Sequence, residues 1–547
     1  MKNHLKAVSF ILCLLMCIAT VRAEDEYDPS ERYRLSARGE AIVDDFAGEP
    51  VPPSDARNRV FYEIFTGSFS DSDGDGIGDL RGIIDRLDYL NDGDPASGLS
   101  LGAEGLWLTP VFLSPSYHKY DVTDYYTVDP AFGTEEDLES LFALCHARGM
   151  LVILDLPLNH TGAENAWFRA FTAAHQANDP ADPYYNWYTW YRQGGEKPSA
   201  GTFRQIPGTN EYYEASFSAD MPELNYDEPA VYEAMLAVAE YWLSRGADGF
   251  RFDAAKYVYY NDHAKNAAFF ARFIGDLKKE HPDIYTVLEV WDSDSIVYQY
   301  TGASSCFNFT LSGAEGLFAA TARHGNVNTL TAYVQKQTRK FADQGGAAVF
   351  TPFLANHDMD RAAGFLTVAS RQAHMAANLY LLSPGSPFLY YGEELGMKGS
   401  RGAEATDANR RLAMLWGDGD TVQDPPGTTY EKKKQTNGTV ASLVGDGDSL
   451  YTYYKKLLLI RRLNPEIASG TYRALNLGGI KAGGFTSTLN GSTVAVIHNT
   501  SSKTVQIDLN EADAAGFTVI RACVGEGTAS LQDGILTLGG NTSVVLR

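Results

Sequence analysis

Short apolar segments recur along most of the chain, and polar residues follow each of them directly. From Val60 onward the segments have the length of buried strands and alternate with stretches long enough for helices. Their ranges are Val60–Phe65, Gly105–Leu108, Leu151–Leu156, Gly249–Asp253, Thr286–Val290, Val349–Leu354 and Phe388–Tyr391, with a weaker one at Cys306–Phe309. Repeated strand–helix alternation predicts an α/β fold in which helices cover a parallel sheet.

The spacing of these segments narrows the prediction to a (β/α)8 TIM barrel. Eight strand–helix units in ~250 residues need about 31 residues each. Asp253 and Glu289 lie 36 residues apart, which is one unit, and Glu289 and Asp358 lie 69 apart, which is two. Asp155 and Asp253 lie 98 apart, about 60 too many for one unit. The surplus predicts a domain inserted after strand three, at residues 161–219, which are rich in Trp, Tyr, Asn and Pro.

The pattern changes again after about residue 464. Short strand-like runs separated by Gly, Asn and Ser predict a C-terminal all-β sandwich domain at residues 465–547. The barrel is then built from residues 59–160 and 220–464.

The N-terminus has the form of a secretion signal. Two lysines precede an apolar run too short for a comfortable membrane span, and a small-residue cleavage site ends at Ala23. We predict a signal peptide at residues 1–23, a polar leader or linker at 24–58, and a secreted bacterial protein. The alternative is a lipoprotein anchored through Cys17.

Charge and composition limit the partners. The net charge of −24 argues against nucleic acid, which requires a basic footprint, and against an anionic membrane surface. With 32 Tyr, 27 Phe and 7 Trp, the chain has many flat amphipathic side chains, which suit sugar rings as well as a core. We expect a monomer without a transmembrane segment.

Polar clusters end four of the predicted strands, at the edge where barrel active sites are built. The clusters are Asp155–Asn159–His160, Arg251–Asp253, Glu289 and His357–Asp358. A single Asp at a strand end is more often a cap or turn residue. Several carboxylates around one mouth are different, because like charges raise each other's cost of ionisation. Glycoside hydrolysis uses such a pair of carboxyl groups.

The residues beside the carboxylates suit that chemistry. Arg251 lies two residues before Asp253, so both side chains share one face of a strand, and the guanidinium favours an ionised Asp253. Glu289 precedes Val290 and Trp291, apolar neighbours that raise the affinity of a carboxyl group for its proton.

These clusters resemble, in the same order, four conserved motifs of the α-amylase family, glycoside hydrolase family 13. The matching segments are Leu154–His160, Gly249–Asp253, Glu289–Trp291 and Asn356–Asp358. Three further segments extend the resemblance over residues 59 to 465, namely Gly105–Pro110, Met221–Asn225 and Pro387–Glu394. The family implies a catalytic barrel, a domain inserted after strand three and a C-terminal β-sandwich. It also implies cleavage of α-glucosidic bonds in starch-like glucans with retention of configuration.

The resemblance assigns a role to each site residue. Asp253 corresponds to the nucleophile and Glu289 to the general acid/base. Asp358 corresponds to the third carboxylate, which binds the 2- and 3-hydroxyls of the sugar at the cleavage subsite. The implied substrate-binding residues are Tyr120, His160, Arg251, His357 and Lys256.

Residues 71–79, with the sequence DSDGDGIGD, form a second motif. Oxygen ligands at alternate positions of a Gly-bent loop suit calcium. The motif departs from an EF-hand, because Gly82 stands where the bidentate Glu of an EF-hand belongs. A polar turn without metal is the alternative. The family resemblance implies a structural Ca²⁺ at this loop, bound by Asp71, Asp73, Asp75, Ile77 (through its carbonyl) and Asp79.

Three departures from the family pattern leave details open. Tyr257 follows Lys256 where many α-amylases have a His whose carbonyl binds a second calcium. Lys119 stands where relatives often have Gly, which predicts a long cation near the cleft. Glu223 stands in the Met221–Asn225 segment where the closest pattern has Asp. That segment resembles the group intermediate between oligo-1,6-glucosidases and neopullulanases, which contains extracellular bacterial α-amylases.

The best functional prediction is an α-amylase that cleaves α-1,4 bonds in starch and maltodextrin. The alternatives within the family are an α-glucosidase, an oligo-1,6-glucosidase, a neopullulanase-type enzyme and a transglycosylase. A non-catalytic glucan-binding or chaperone-like protein is the alternative from another class. It is disfavoured because Asp253, Glu289 and Asp358 are all present.

Overall fold

The computed structural model describes residues 41–42 and 51–547, except residues 96, 346–347, 370, 418, 476, 478–480 and 513. The predicted signal peptide, Cys17 and most of the predicted linker lie outside these residues. Within the linker, the strand Ala41–Ile42 pairs antiparallel with the strand Ile520–Gly525. This piece of the linker is therefore part of the C-terminal sheet. In the described part of the chain, no helix combines the length and apolar character that crossing a membrane requires.

Seven parallel strands form the central sheet. In sheet order they are Ser305–Cys306, Tyr285–Leu288, Gly249–Asp253, Leu151–Pro157, Gly105–Leu108, Phe61–Ile64 and Phe388–Tyr390. Successive side chains of a strand point to opposite faces. One face carries Phe61, Trp107, Ile153, Val287 and Phe388, which pack together in the barrel interior. The other face packs against the surrounding helices, as in Phe252 against Phe270.

The segment at residues 349–354 completes the ring without forming the regular strand that we predicted. It makes a single parallel bridge, between Phe353 and Phe388. On its other side the Asn308 N–H donates to the Thr351 carbonyl at 3.4 Å. Pro352 has no N–H to donate, which prevents a continuous ladder here. The predicted TIM barrel is confirmed, and residues 349–354 occupy one of its strand positions as an irregular segment.

Helices surround the barrel and connect its strands. Their bounds are Leu80–Asp85, Leu87–Leu90, Glu135–Ala147, Pro229–Arg245, His263–Leu277, Asp294–Tyr300, Leu317–His324, Val327–Asp343, Ala362–Phe365, Gln372–Leu381, Val440–Leu443, Leu450–Leu463 and Pro465–Ser469, with 3₁₀ turns at Thr66–Ser68, Phe309–Leu311, Asp407–Arg410 and Lys432–Lys434. Sequence signals set several ends. Thr134 and Asp137 form a capping box, and Gly246 at φ 118° ends the Pro229–Arg245 helix.

A small unit with its own sheet lies between the Leu151–Pro157 strand and the Pro229–Arg245 helix. It contains the helix Ala166–Ala177 and an antiparallel sheet of Trp190–Arg192, Glu211–Glu214 and Phe203–Gln205. His175 on the helix is buried and lies 2.6 Å from Glu211 on the central strand. These elements all fall within the predicted insertion at residues 161–219.

The C-terminal region consists of two antiparallel sheets. The larger contains, in order, Ala41–Ile42, Ile520–Gly525, Thr542–Leu546, Ser492–Asn499, Ala482–Leu489 and Thr471–Leu475, and the smaller contains Val505–Asp508, Ile535–Leu538 and Ala529–Gln532. Ile497 and Val544 of the larger sheet pack against Ile507 and Leu536 of the smaller. The predicted all-β terminal domain is confirmed, although the pattern did not indicate the Ala529–Gln532 and Ile535–Leu538 strands.

Candidate active site

The interior side chains of the barrel are apolar at the bottom and charged at the carboxyl ends of the strands. Because side chains alternate along a strand, Ile153 is followed inward by Asp155, and Arg251 by Asp253. Parallel pairing sets Arg251 opposite Asp155 on the neighbouring strand. The apolar layer at the bottom of the barrel and the strand pairing therefore fix the position along the barrel axis at which the charged groups meet.

Arg251 is the common partner of three carboxylates and is fully buried. One of its nitrogens, Nη1, donates to Asp155 at 2.7 Å and to Asp253 at 2.6 Å. The other, Nη2, lies 3.0 Å from Glu289 Oε2. One guanidinium charge is thus shared among three buried acids, which leaves each acid only partly compensated.

This arrangement separates the proton affinities of the two predicted catalytic carboxyl groups. Burial raises the pKa of Asp253 to about 6, and the charge of Asp155 adds to the rise while Arg251 opposes it. Burial raises the pKa of Glu289 to about 7, with Arg251 again opposing and the charge of Asp253 adding to the rise. Glu289 therefore holds its proton to a higher pH than Asp253 does.

The position of Glu289 depends on an unusual backbone conformation. Ala254, the residue after Asp253, has φ 48°, in the left-handed region. Its N–H donates to Glu289 Oε2 at 3.0 Å, and the Ala255 N–H donates to the Glu289 carbonyl at 3.1 Å. The turn after the Asp253 strand thus orients the carboxyl group on the next strand.

Asp155 is buried with no exposed surface, at the base of the site. Its Oδ2 accepts from the Tyr120 hydroxyl at 2.8 Å and from the Trp107 indole N–H at 3.3 Å. Tyr120 stacks on His357 with ring centroids 5.6 Å apart and an interplanar angle of 13°. Asp155 thereby links Arg251 to the aromatic side of the site.

His357 lies between two carboxylates. Its Nδ1 is 2.6 Å from Glu63 Oε1, and its Nε2 is 3.0 Å from Asp358 Oδ2. Burial lowers the pKa of His357, but the charge of Asp358 and then Glu63 outweigh it and raise the pKa to about 10. Burial likewise opposes ionisation of Asp358, yet His357 and Arg411 hold its pKa well below the usual range. Asp358 therefore stays ionised and only accepts hydrogen bonds.

Glu63 and Arg411 are site residues that sequence reasoning missed. Glu63 follows Phe61 on the inner face of the first strand. Because residues two apart on a strand share a face, the alternation along this strand could have predicted that Glu63 points into the barrel. Arg411 follows the 3₁₀ turn Asp407–Arg410, in a loop without periodicity, and its Nη2 donates to Asp358 at 2.8 Å.

Above these groups lies a cavity of about 730 Å³. The predicted residues among those that line it are Tyr120, His160, Asp253, Lys256, Glu289 and Asp358. Trp291 and Phe217 also line it, with 46% and 48% of their surface exposed. Arg251 and His357 lie buried beneath, where they hold the lining groups in place.

His160 and Lys256 both have defined partners. His160 Nε2 lies 3.2 Å from the Tyr120 carbonyl, and burial lowers the pKa of this histidine to about 4, so the ring is neutral. The Lys256 ammonium donates to the Trp291 carbonyl at 2.8 Å and to Asp292 at 3.1 Å. It therefore fixes the backbone that carries the exposed indole.

The prediction that Lys119 places a cation near the cleft is wrong. The residue is 8% exposed, and its ammonium donates to Asp129 at 2.7 Å and to the Ser114 carbonyl at 3.0 Å. Its φ of 64° explains why Gly suits this position. The left-handed backbone and the buried Asp129 together turn the side chain inward.

The predicted calcium loop brings three of its four aspartates together. Oxygen atoms of Asp71, Asp73 and Asp79 lie within 4.8 Å of one another. Asp75 is not in this group, and its Oδ1 accepts from the Ile77 N–H at 2.7 Å. Asp79 also caps the Leu80–Asp85 helix. An all-oxygen, carboxylate-rich donor set fits a hard cation such as Ca²⁺.

Comparison with known proteins agrees with this geometry. Residues 63–470 match the family described as "Alpha amylase, catalytic domain". The chain is 35% identical over 456 residues to "Alpha-amylase 3" of Dictyoglomus thermophilum, which covers 81% of this chain and 85% of that one. It is 32% identical over 442 residues to a cyclomaltodextrinase of Thermoanaerobacter pseudethanolicus, which covers 80% of this chain and 66% of that one.

Solved structures have the same fold along almost the whole chain. Amy13B of Eubacterium rectale superimposes with a TM-score of 0.84 at 32% identity, covering 94% of this chain and 99% of that one. An α-amylase from H. orenii superimposes with a TM-score of 0.79 at 34% identity, covering 90% and 99%. The chain therefore belongs to the α-amylase family, glycoside hydrolase family 13, and is a glycoside hydrolase that acts on α-glucans.

Proposed function

We propose that this glycoside hydrolase is a retaining α-amylase that cleaves internal α-1,4 bonds of starch and maltodextrin. Asp253 is the nucleophile and Glu289 is the general acid/base. The observation that carries the proposal is the contact of both carboxyl groups with the single guanidinium of Arg251, at 2.6 and 3.0 Å. Two carboxyl groups at one barrel mouth are the equipment of glycoside hydrolysis.

The proposed reaction has two displacements. Asp253 attacks the anomeric carbon while Glu289 gives its proton to the leaving glycosidic oxygen, which forms a glycosyl-enzyme. The reducing-end part of the chain leaves in this first step. Glu289 then removes a proton from water, the resulting hydroxide displaces Asp253 from the anomeric carbon, and the glycosyl part is released with its α-configuration retained. The higher proton affinity of Glu289 relative to Asp253 supports this division of roles.

The remaining residues bind and orient the sugar at the cleavage point. Asp358, ionised and aimed by His357 and Arg411, accepts hydrogen bonds from ring hydroxyls. Tyr120 offers an aromatic face, and neutral His160 lines the same cavity. Lys256 supports the loop that carries Trp291.

Internal cleavage requires binding surface on both sides of the catalytic carboxyl groups. The half-exposed rings of Trp291 and Phe217 support an extended glucan, because sugar rings pack on aromatic faces. The name of the Dictyoglomus thermophilum relative favours the same activity. The chain is also 28% identical to an oligo-1,6-glucosidase of Parageobacillus thermoglucosidasius. Cleavage of α-1,6 bonds is therefore the alternative that an experiment must exclude.

Chromatography of the products from amylose, pullulan and isomaltose tests this proposal. We expect amylose to yield a ladder of maltooligosaccharides early in the reaction, and isomaltose to remain intact. Glucose as the sole early product would identify an exo-acting α-glucosidase. Isomaltose cleavage faster than that of amylose would reassign the linkage to α-1,6.

We further propose that the 71–79 loop binds a structural Ca²⁺ through Asp71, Asp73 and Asp79, together with the Ile77 carbonyl. The cation would neutralise these carboxylates and fix the loop that begins the Leu80–Asp85 helix, without taking part in catalysis. Secretion, signal cleavage near Ala23 and a monomeric state stay predictions.

A further inference from the structure

A loop at residues 215–222 leads from the small antiparallel sheet of the insertion back towards the barrel. The Glu223 N–H donates to the Glu214 carbonyl at 3.0 Å, which closes the loop at its base. The loop reaches the catalytic cavity, and three of its side chains line that cavity, namely Phe217, Ser218 and Met221. The insertion therefore contributes directly to the surface on which a glucan would bind.

The Phe217 ring packs on the side of the cavity that carries Glu289. Its centroid lies 5.0 Å from that of Tyr257 and 5.5 Å from that of His160. The Tyr257 N–H donates to the Ala254 carbonyl at 2.9 Å, and the Ala254 N–H donates in turn to Glu289 at 3.0 Å. In the proposed mechanism Glu289 gives its proton to the departing oxygen, so this side receives the part of the glucan that leaves.

The Glu223 side chain holds the backbone beside this ring. Glu223 is 3% exposed, and the Ser216 N–H donates to both of its carboxyl oxygens, at 2.9 and 3.1 Å. Ser216 directly precedes Phe217 in the chain. A buried carboxyl group at one end of the loop thus reaches across it and fixes the residue from which the exposed ring projects.

The environment of Glu223 indicates which substitutions preserve this contact. Burial raises the pKa of Glu223 to about 8; the Ser216 N–H opposes the rise and the charge of Glu214 adds to it. At neutral pH the group is therefore mostly protonated, and the amide of Gln is a close substitute with the same length and an acceptor oxygen. Asp is one methylene shorter, so its carboxyl group reaches the Ser216 N–H only if the loop moves.

We propose that Glu223 is a positioning residue, which holds Phe217 where the departing part of the glucan binds. The Phe217 ring offers an aromatic face to that sugar, and Glu223 sets the place of the ring through Ser216. This role rests on the proposed retaining mechanism, to which it adds a determinant of how strongly the leaving part of the substrate is bound.

Two substrates separate this role from a general effect on the site. The leaving part of maltoheptaose is a sugar chain, whereas that of α-maltosyl fluoride is a fluoride ion, which has no sugar ring to pack on Phe217. Glu223→Ala should lower kcat/KM on maltoheptaose about tenfold, mainly by raising KM. The same variant should change kcat/KM on α-maltosyl fluoride by no more than about twofold. Glu223→Gln should restore most of the loss on maltoheptaose.

A double-mutant cycle tests whether Glu223 acts through the ring. Phe217→Ala should lower kcat/KM on maltoheptaose to a similar extent, and Glu223→Ala added to it should lower the value little further, because both changes remove one contact. Glu164→Ala is the matched control, at an exposed glutamate of the insertion that pairs with Arg169, and should leave both substrates unaffected. Melting curves establish that each variant is folded. Glu223→Asp, for which we expect the same pattern, replaces Glu223→Ala if the latter does not fold.

Three outcomes would overturn the positioning role. They are wild-type kinetics of Glu223→Ala on maltoheptaose, an equal loss on both substrates, and a full additional loss when Glu223→Ala is combined with Phe217→Ala. Failure of the wild type to release fluoride from α-maltosyl fluoride would instead overturn the retaining mechanism itself. The two failures are therefore distinguishable in one set of measurements.

Discussion

Arg411 Nη2 donates to Asp358 Oδ1 at 2.8 Å while Arg411 Nε donates to the neighbouring His357 carbonyl at 3.1 Å. Its remaining nitrogen, Nη1, donates to the Tyr117 hydroxyl at 3.1 Å. One planar guanidinium therefore fixes the carboxylate, the backbone behind it and an aromatic wall of the cavity. A lysine, as a point charge, lacks the geometry to satisfy all three acceptors.

Removing this contact is expected to impair sugar binding at Asp358. Arg411→Ala should lower kcat/KM on maltoheptaose by about 10²-fold, because a small misplacement of a binding group is costly in rate. Arg411→Lys should recover part of the loss, since the charge is kept but the fork is not. Arg169→Ala, at an exposed arginine that pairs with Glu164 and does not line the cavity, serves as the control. Wild-type kinetics in Arg411→Ala would contradict the positioning role.

The roles proposed for Asp253 and Glu289 can be distinguished with a substrate whose leaving group needs no proton. Asp253→Asn and Glu289→Gln should each lower amylose hydrolysis by roughly 10³-fold or more. With α-maltosyl fluoride, Glu289→Gln should still form the glycosyl-enzyme on Asp253, visible as a burst of fluoride. Asp253→Asn should give no burst. The reverse pattern would exchange the two assignments.

The pH profile follows from the same pair. The proposed mechanism needs Asp253 ionised and Glu289 protonated. Below about pH 6 Asp253 takes up a proton, and above about pH 7 Glu289 loses one. We therefore expect kcat/KM to form a narrow bell centred between pH 6 and 7, measured with a short soluble maltooligosaccharide. A profile that stays flat to pH 9 would contradict Glu289 as the acid.

Most of this site could be predicted from the sequence, because the alternation of side chains along a strand and the spacing of strand–helix units can be read from short stretches of the chain. Asp155, Asp253 and Glu289 follow directly from strands that end at one edge. The sequence did not predict the position of the Arg411 side chain, because Arg411 lies in a loop without periodicity. It did not predict that of Lys119 either, because the direction of this side chain depends on the left-handed backbone of a single residue. The Ala41–Ile42 strand was not predicted for a related reason, since its partner residues, Cys523 and Val524, lie about 480 residues further along the chain.

The metal proposal predicts a chelator-sensitive fold. EDTA should lower the melting temperature of the wild type, because a ligand that binds only the native state stabilises it. Asp73→Asn should reduce this difference, since Asp73 belongs to the carboxylate cluster. Asp75→Asn is the matched control, because its carboxylate lies outside the cluster and serves the Ile77 N–H. Equal melting temperatures for wild type supplied with Ca²⁺ and wild type stripped with EDTA would contradict the proposed Ca²⁺ site.

The Glu393 carboxylate predicts how stability depends on pH. Its Oε1 accepts from the hydroxyls of Tyr380 and Tyr454, at 2.7 and 2.9 Å, and burial raises its pKa to about 8. The unfolded value is about 4.3, so between these limits the native state binds the extra proton. The free energy of unfolding therefore falls as pH rises from about 4 to 8, by at most ~1.4 kcal/mol per pH unit from this group.

Glu393→Gln keeps an acceptor for both hydroxyls and removes the titration. Its free energy of unfolding should fall less steeply than that of the wild type between pH 5 and 8, measured by urea denaturation at each pH. Glu139→Gln, at a surface glutamate paired with Arg245, is the control and should follow the wild-type curve. Parallel curves for Glu393→Gln and the wild type would mean that Glu393 ionises as readily in the folded chain as in the unfolded one.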